Sequence, residues 1–286
     1  MNFSIKRLRT GPILLLVALT ALALFMLLPI VFLFNHAFKP LNELFLFPPR
    51  FLVSHPTVQN FERLLGSTSG DLVPFTRYLF NSVFVVCTAL VAVVVVSSMA
   101  AYVLAKYRFH FKAFIMSLIY VSLMFASETV QIPRYLIISG LGINDTYFAH
   151  ILPFVAAPVS VFLLIQFIGQ IPDALLEAAK IDGASEWGIF IRIVMPLAMP
   201  AVATVSILTF QAVWGDTEAS TLFIHDETLK TLPAYVQTLG NAAQNSVSGQ
   251  GMMAAAGLMM FLPNLVIFLL FQGRVMETMI SSGIKE

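Results

Sequence analysis

The sequence predicts an all-α integral membrane protein with six transmembrane helices, and three observations predict it. Of its 286 residues, 58% are hydrophobic and 11% charged, where a soluble globular chain carries about 25% charge. The mean hydropathy is +0.87. Six separate runs approach the roughly 20 apolar residues that a helix needs to cross the bilayer core. The same composition excludes other classes. A net charge of +1 without a long basic run excludes a nucleic-acid binder. One cysteine, Cys87, excludes a disulfide scaffold, and five scattered histidines supply no zinc-ligand spacing.

The elements follow in order, within a single transmembrane domain 1–286. Span one, 12–34, follows Lys6, Arg7 and Arg9. Its apolar run of about 22 residues exceeds the 7–15 of a signal-peptide core, so it is read as an uncleaved span, bent near Pro29. A proline-rich segment, Asn35–Thr76, comes next; it either contacts a partner or folds over the spans. Span two, 78–104, is rich in valine and alanine and ends in the basic loop Lys106–Lys112, whose cations suit anionic lipid. Spans three and four cover 113–131 and 147–167. A long loop, 169–196, leads to span five, 197–218. The polar loop Ser220–Gly251 precedes span six, 252–271.

Charge sets the orientation. With the N-terminus inside, ten of the sixteen Lys and Arg residues fall in inner segments, among them Lys106, Arg108, Lys112, Lys180 and Arg192, together with six of the fifteen acids. Excess Lys and Arg mark the cytoplasmic face, so both termini are expected in the cytoplasm, with 169–196 facing it.

The loop 169–196 carries most of the information. Pro172 suits a first helical turn and Asp173 favours that end electrostatically. Ala174–Ile181 are mostly strong helix formers, and Gly183 permits the left-handed turn that stops the helix. Ser185 can cap a second helix through Met195, and Pro196 begins the next element. The object is two short helices around a glycine, with adjacent small residues that let another surface come close. It suits a docking lever, or equally an amphipathic helix lying on the membrane surface.

The string Glu177-Ala178-Ala179, then Asp182-Gly183-Ala184-Ser185, then Ile193-Val194-Met195-Pro196 resembles the EAA loop of ABC-importer permeases, with Met195 in place of the usual leucine. Asn81-Ser82, Ala100-Ala101-Tyr102, Tyr107-Arg108-Phe109, Ile132-Pro133-Arg134-Tyr135, Thr231-Leu232-Pro233 and Ser282-Gly283-Ile284-Lys285 are similar to carbohydrate-uptake permeases of the maltose type. The resemblance covers nearly the whole chain. It implies the type I importer permease architecture and a binding-protein-dependent sugar importer. The implied partners are a second homologous permease, two ATPase subunits and an extracytoplasmic sugar-binding protein, besides membrane lipid. Glu177–Ser185 would then couple to the ATPases. No phosphate-binding loop of the G-x-x-x-x-G-K-[ST] form occurs here. ATP and Mg²⁺ are therefore expected on the partner subunits, with no cofactor and no covalent chemistry on this chain. An ion-coupled secondary transporter is the alternative, but it calls for inverted repeats that the sequence does not show.

Polar residues within spans are costly and mark candidate substrate-pathway positions. Glu128 and Gln131 lie near the end of span three and read as pathway groups or as interfacial residues. Gln211, Trp214, Asp216 and Glu218 cluster on span five. There two carboxylates beside an indole could meet sugar hydroxyls, form ion pairs, or sit at the outer surface. The stretch Trp214-Gly215-Asp216-Thr217-Glu218 departs from the tryptophan-asparagine-glutamate of the resembling family. Asn81 and Ser82 either line the pathway or bond to backbone.

Overall fold

The computed structural model describes residues 10–48, 50–66, 73–243 and 247–283. Lys6, Arg7, Arg9, Ile284 and Lys285 lie outside the described residues. No strand occurs among those described, and the chain divides into two compact units.

The first unit comprises residues 1–69 and 238–260. Helix α1, Thr10–Ala37, runs continuously across Pro29 for 28 residues. Residues 14–29 of its apolar span are all exposed within the chain, as expected of a helix whose solvent is lipid or another protein rather than water. The proline-rich segment that follows is built on buried polar anchors. Helix α2, Leu41–Leu44, carries Glu43, which accepts the Ser54 and His55 N–H groups at 3.0 and 2.9 Å. Helix α3, Gln59–Gly66, carries Asn60, which is 1% exposed and donates to the Ala37 and Lys39 carbonyls at 2.9 and 2.8 Å. These bonds take up the carbonyls freed where α1 ends.

The second unit comprises residues 70–237 and 261–286. Its axis is α4, Phe75–Lys106, 32 residues long. Then come α5 (Lys112–Ser122), α6 (Gln131–Gly140), α7 (Tyr147–Val155) and α8 (Pro158–Gly169). The expected loop folds into α9 (Asp173–Ile181) and a second helix of three parts: α10 (Glu186–Ile189), a π-helical turn Phe190–Val194, and α11 (Met195–Leu197). Helix α12 is Met199–Trp214, α13 is Glu218–Leu222 and α14 is Leu232–Ala243. The 37-residue α15, Val247–Gly283, closes the chain; it contains Pro263, and its residues up to Met260 belong to the first unit. One core joins α4, α8, α9, the second loop helix and α12 through Val93, Leu164, Leu176, Ile189, Val194 and Val205. Ala89, Ala101 and Ala201 on α4 and α12 are buried at 1% exposure or less, the small residues that let apolar helices approach closely.

Among the described residues three helices are long and apolar enough to cross a membrane, and the count reaches six if each of three bent pairs forms one span. The bends add detail that the apolar ranges did not carry. Span three is not one helix over 113–131: α5 stops at Ser122, and the chain turns by 111° through a 3₁₀ turn at Ser127–Val130 into α6. Ser122 and Thr129 hydroxyls donate to the Ile119 and Ala126 carbonyls at 2.7 Å, taking up backbone groups near the break. Span four bends by 42° before Pro158, because a residue preceding proline is forced out of the helical region; Ala157 has φ −106° and ψ 81°. Span five does not run unbroken to Glu218. It begins after a 77° bend at Ala198 and breaks after Trp214 at Gly215-Asp216-Thr217. The loop expected over Ser220–Gly251 holds a 3₁₀ turn at Glu227–Leu229, α14 and the start of α15.

Candidate functional site

The loop 169–196 takes the shape that its residue types dictate. Gly183 has φ +81°. The Ala184 N–H donates to the Ala179 carbonyl at 2.9 Å and the Gly183 N–H to the Lys180 carbonyl at 3.0 Å, the paired bonds of a Schellman ending. Ser185 then caps the second helix by accepting the Gly188 N–H at 3.2 Å. Leu176 packs into the core and Ala179 is half-buried against it. That orientation leaves Glu177, Ala178, Asp182, Gly183, Ala184 and Ser185 exposed at the tip. Ile181 beside them is 85% exposed and Trp187 60%.

Two polar ties fasten this loop to the end of α4. The Lys106 ammonium donates to Asp173 at 2.8 Å, to the Ile171 carbonyl and, at 3.5 Å, to the Gly169 carbonyl. It thereby caps the C-terminus of α8 and holds the N-terminus of α9. With its side chain only 7% exposed, Lys106 is a structural cation, which corrects its expected role as a lipid anchor. Its ammonium holds the Asp173 carboxyl below the usual range. The second tie centres on Glu186, which accepts from Lys180 at 2.6 Å, from the Tyr107 hydroxyl and from the Tyr102 hydroxyl at 3.3 Å. The Lys180 and Tyr107 bonds hold the Glu186 carboxyl low, and Glu186 in turn raises the Lys180 ammonium. Beside these groups lies a mostly apolar pocket of about 190 Å³ lined in part by Met99, Val103, Trp187 and Phe190. Residue spacing alone did not reveal either tie, because it joins positions more than sixty apart; the basic Lys106 followed by Tyr107 was its one sequence signal.

The opposite end of α4 holds another set of bonds, and there Asn81 and Ser82 follow the second of their two readings, bonding to backbone. Asn81 is fully buried. It donates to the Thr228 and Lys230 carbonyls at 2.8 Å each and accepts from the Tyr147 hydroxyl at 2.7 Å. The Ser82 hydroxyl accepts the Leu232 N–H at 2.7 Å. Arg77 donates to the Thr228 carbonyl at 2.9 Å, and the buried His150 ring lies 3.1 Å from the Leu229 carbonyl. These side chains satisfy the backbone of 228–232, so their polar atoms are committed within the chain.

The remaining candidates separate. Trp214 is 3% exposed and stacks on Phe210 at 5.6 Å, so its indole is packed inside rather than offered to a sugar ring. Glu218 pairs with Arg134 at 2.8 Å, which brings α6, and with it Gln131, beside the break after α12. Asp216 accepts the Ala219 N–H at 3.1 Å and starts α13. Gln211 and Glu128 are exposed, and Gln131 is half-buried. The described residues contain no group of acids, histidines and cysteine able to hold a metal ion.

The model of the family described as binding-protein-dependent transport system inner membrane component matches residues 15–273. The chain is 33% identical over 212 residues to the probable ABC transporter permease protein YurM of Bacillus subtilis, covering 73% of this chain and 70% of that protein. It is 30% identical over 264 residues to the arabinooligosaccharides transport system permease protein AraQ of the same organism, covering 92% of each. Among solved structures, it shares its fold with a chain of a bacterial ABC transporter involved in the import of the acidic polysaccharide alginate. The TM-score is 0.82 at 22% identity, over 96% of this chain and 99% of that one.

Proposed function

Because the chain belongs to the family of binding-protein-dependent transport system inner membrane components, we propose that it is a permease subunit of an ATP-driven carbohydrate importer. It receives a sugar from an extracytoplasmic binding protein and passes it to the cytoplasm by alternating access. It pairs with a second, homologous permease, and two ATPase subunits carrying ATP and Mg²⁺ bind the loops of the pair. Both termini and the loop 169–196 face the cytoplasm. The sugar class is supported by relatives such as the arabinooligosaccharide permease.

The observation that carries this reading is the loop tip. Two helices locked by a Schellman turn present Ala178, Gly183 and Ala184 with Ile181 85% exposed. An exposed large apolar residue on a rigid, small-residue tip fits insertion into a protein cleft. Glu128, Gln131, Gln211 and Asp216 remain the pathway candidates, lying around the breaks in spans three and five. Such breaks place polar backbone and side chains at membrane depth only where they line protein or a cavity.

The test is purification of the tagged chain from native membranes in mild detergent, followed by identification of what accompanies it. A second multi-span permease and an ATPase with a phosphate-binding loop are expected. Recovery of this chain alone, under conditions that preserve other membrane complexes, would overturn the reading. Uptake that persists when ATP is replete and the membrane potential is collapsed separates it from ion-coupled transport.

A further inference from the structure

The covalent chain attaches the loop 169–196 to α8 and, through the second loop helix, to α12. Its polar ties go elsewhere, to α4. The last residue of α4, Lys106, grips both Asp173 and the carbonyls that end α8. Tyr102 and the adjoining Tyr107 grip Glu186 at the start of the second loop helix. Thus both loop helices are tied to one end of a helix that flanks neither. At its other end that helix holds the backbone of 228–232 through Arg77, Asn81 and Ser82. The two sets of bonds sit near opposite ends of one continuous helix of 32 residues without an internal proline, about 48 Å of rigid rod from end to end.

We propose that α4 transmits movement of the loop to the segment Asp226–Leu232 at the far side of the membrane, with Lys106, Tyr102 and Tyr107 as its positioning residues. This rests on the importer reading above and deepens it. The loop moves α4 because an ammonium with three acceptors and a carboxylate held by two tyrosine hydroxyls resist both sliding and rotation. At the far end, displacement of α4 carries 226–232 with it, because Asn81 and Ser82 hold that segment by its backbone. The segment contains Glu227 and Lys230, paired at 2.5 Å, and presents exposed polar groups to whatever meets that face.

The experiment uses the assembled complex in proteoliposomes, comparing wild type with Lys106→Met and with Tyr102→Phe/Tyr107→Phe. Two quantities are read: ATP hydrolysed per sugar imported, and the ATP-dependent change in hydrogen exchange of the peptide 226–237. In wild type, ATP with vanadate is expected to change exchange at 226–232. In the variants that change is lost, hydrolysis continues, and ATP consumed per sugar rises at least about fivefold, the lower range of allosteric coupling. A wild-type ratio with the wild-type exchange response overturns the proposal. A proportional fall of hydrolysis and uptake also overturns it, because that signals lost ATPase binding rather than lost transmission. If Lys106→Met does not assemble, the tyrosine pair decides, since it removes only two hydroxyls. A wild-type chain that recovers no ATPase overturns the importer reading itself, before any variant is compared.

Discussion

Replacing Asn81 by leucine removes three hydrogen bonds at a site with no access to water. The side chain is 0% exposed, and its amide serves the Thr228 and Lys230 carbonyls and the Tyr147 hydroxyl at 2.7–2.8 Å. A net contribution of about 1 kcal/mol for each neutral bond makes the local loss about 3 kcal/mol. Leucine has similar volume, so the packing change is small beside it. Opening of the 228–232 segment should then be more frequent by about a hundredfold, since 1.4 kcal/mol is a factor of ten. Trypsin reports this directly, because Lys230 lies inside the segment and its following N–H is held by Ser220 at 3.1 Å. Cleavage after Lys230 follows the open population when reclosing outpaces cutting. The variant should be cut about a hundredfold faster in that regime, with cleavage at exposed Lys180 unchanged. A rate at Lys230 within about twofold of wild type, far below the hundredfold estimate, would refute the assignment of Asn81 as the clamp of this segment.

Other changes act at sites with equally simple geometry. Gly251→Ala puts a Cβ 2.6 Å from the Asn60 Oδ1. Displacing Asn60 from its two carbonyls should destabilise the first unit by about 2 kcal/mol, read as faster proteolysis within Phe38–Gly66. Gly183→Pro cannot hold φ +81° and loses the bond to the Lys180 carbonyl. It should abolish uptake while the helical circular-dichroism signal stays native; normal uptake sinks the coupling role of the turn. The loop ties should be insensitive to pH across the neutral range. The Asp173 and Glu186 carboxyls are held low, so their contribution is complete above the ordinary carboxylate range and is lost only as pH falls through the lowered folded values. Lys180 is raised, so its contribution is complete below the ordinary lysine range and is lost only above it. Proteolysis of the loop between pH 5.5 and 9, a window bounded by the ordinary carboxylate and lysine values of about 4 and 10, should therefore be flat; a step within it would show that another group controls the ties.

Much of the architecture was legible because lipid imposes a simple length rule. Apolar runs at 78–104 and 252–271 fall within continuous helices, α4 and α15. The helix–glycine–helix shape of 169–196 was legible for a local reason: Gly183, Ser185 and Pro172 act within a few residues of themselves. The breaks were less visible. Hydropathy across 113–131 or 147–167 does not register whether Ala157 is helical, and the signal at Pro158 was overridden by the apolar run around it. Asn81 illustrates the remaining difficulty. A buried amide in an apolar span reads as functional, yet its partners are carbonyls some 150 positions later, supplied only by the tertiary fold. Trp214 and Glu218 were open for the same reason: the contacts to Phe210 and Arg134, the second being the ion pair among the three readings of these acids, come from the tertiary fold.

The bonds at the two ends of α4 also bear on the order in which the chain can assemble. Ser82 and Asn81 find their partners 147 to 150 residues downstream, and Lys106 finds its own 63 to 67 residues downstream. At roughly 5–20 residues synthesised per second, the amide of Asn81 waits on the order of ten seconds for the backbone that satisfies it. During that interval α4 is a nascent helix with unmet polar groups, at both ends to begin with and later at the Asn81 end alone. The loop end is completed first and the 228–232 end last, so a chain arrested before Leu232 should expose α4 to quality-control proteolysis even though its apolar span is entire.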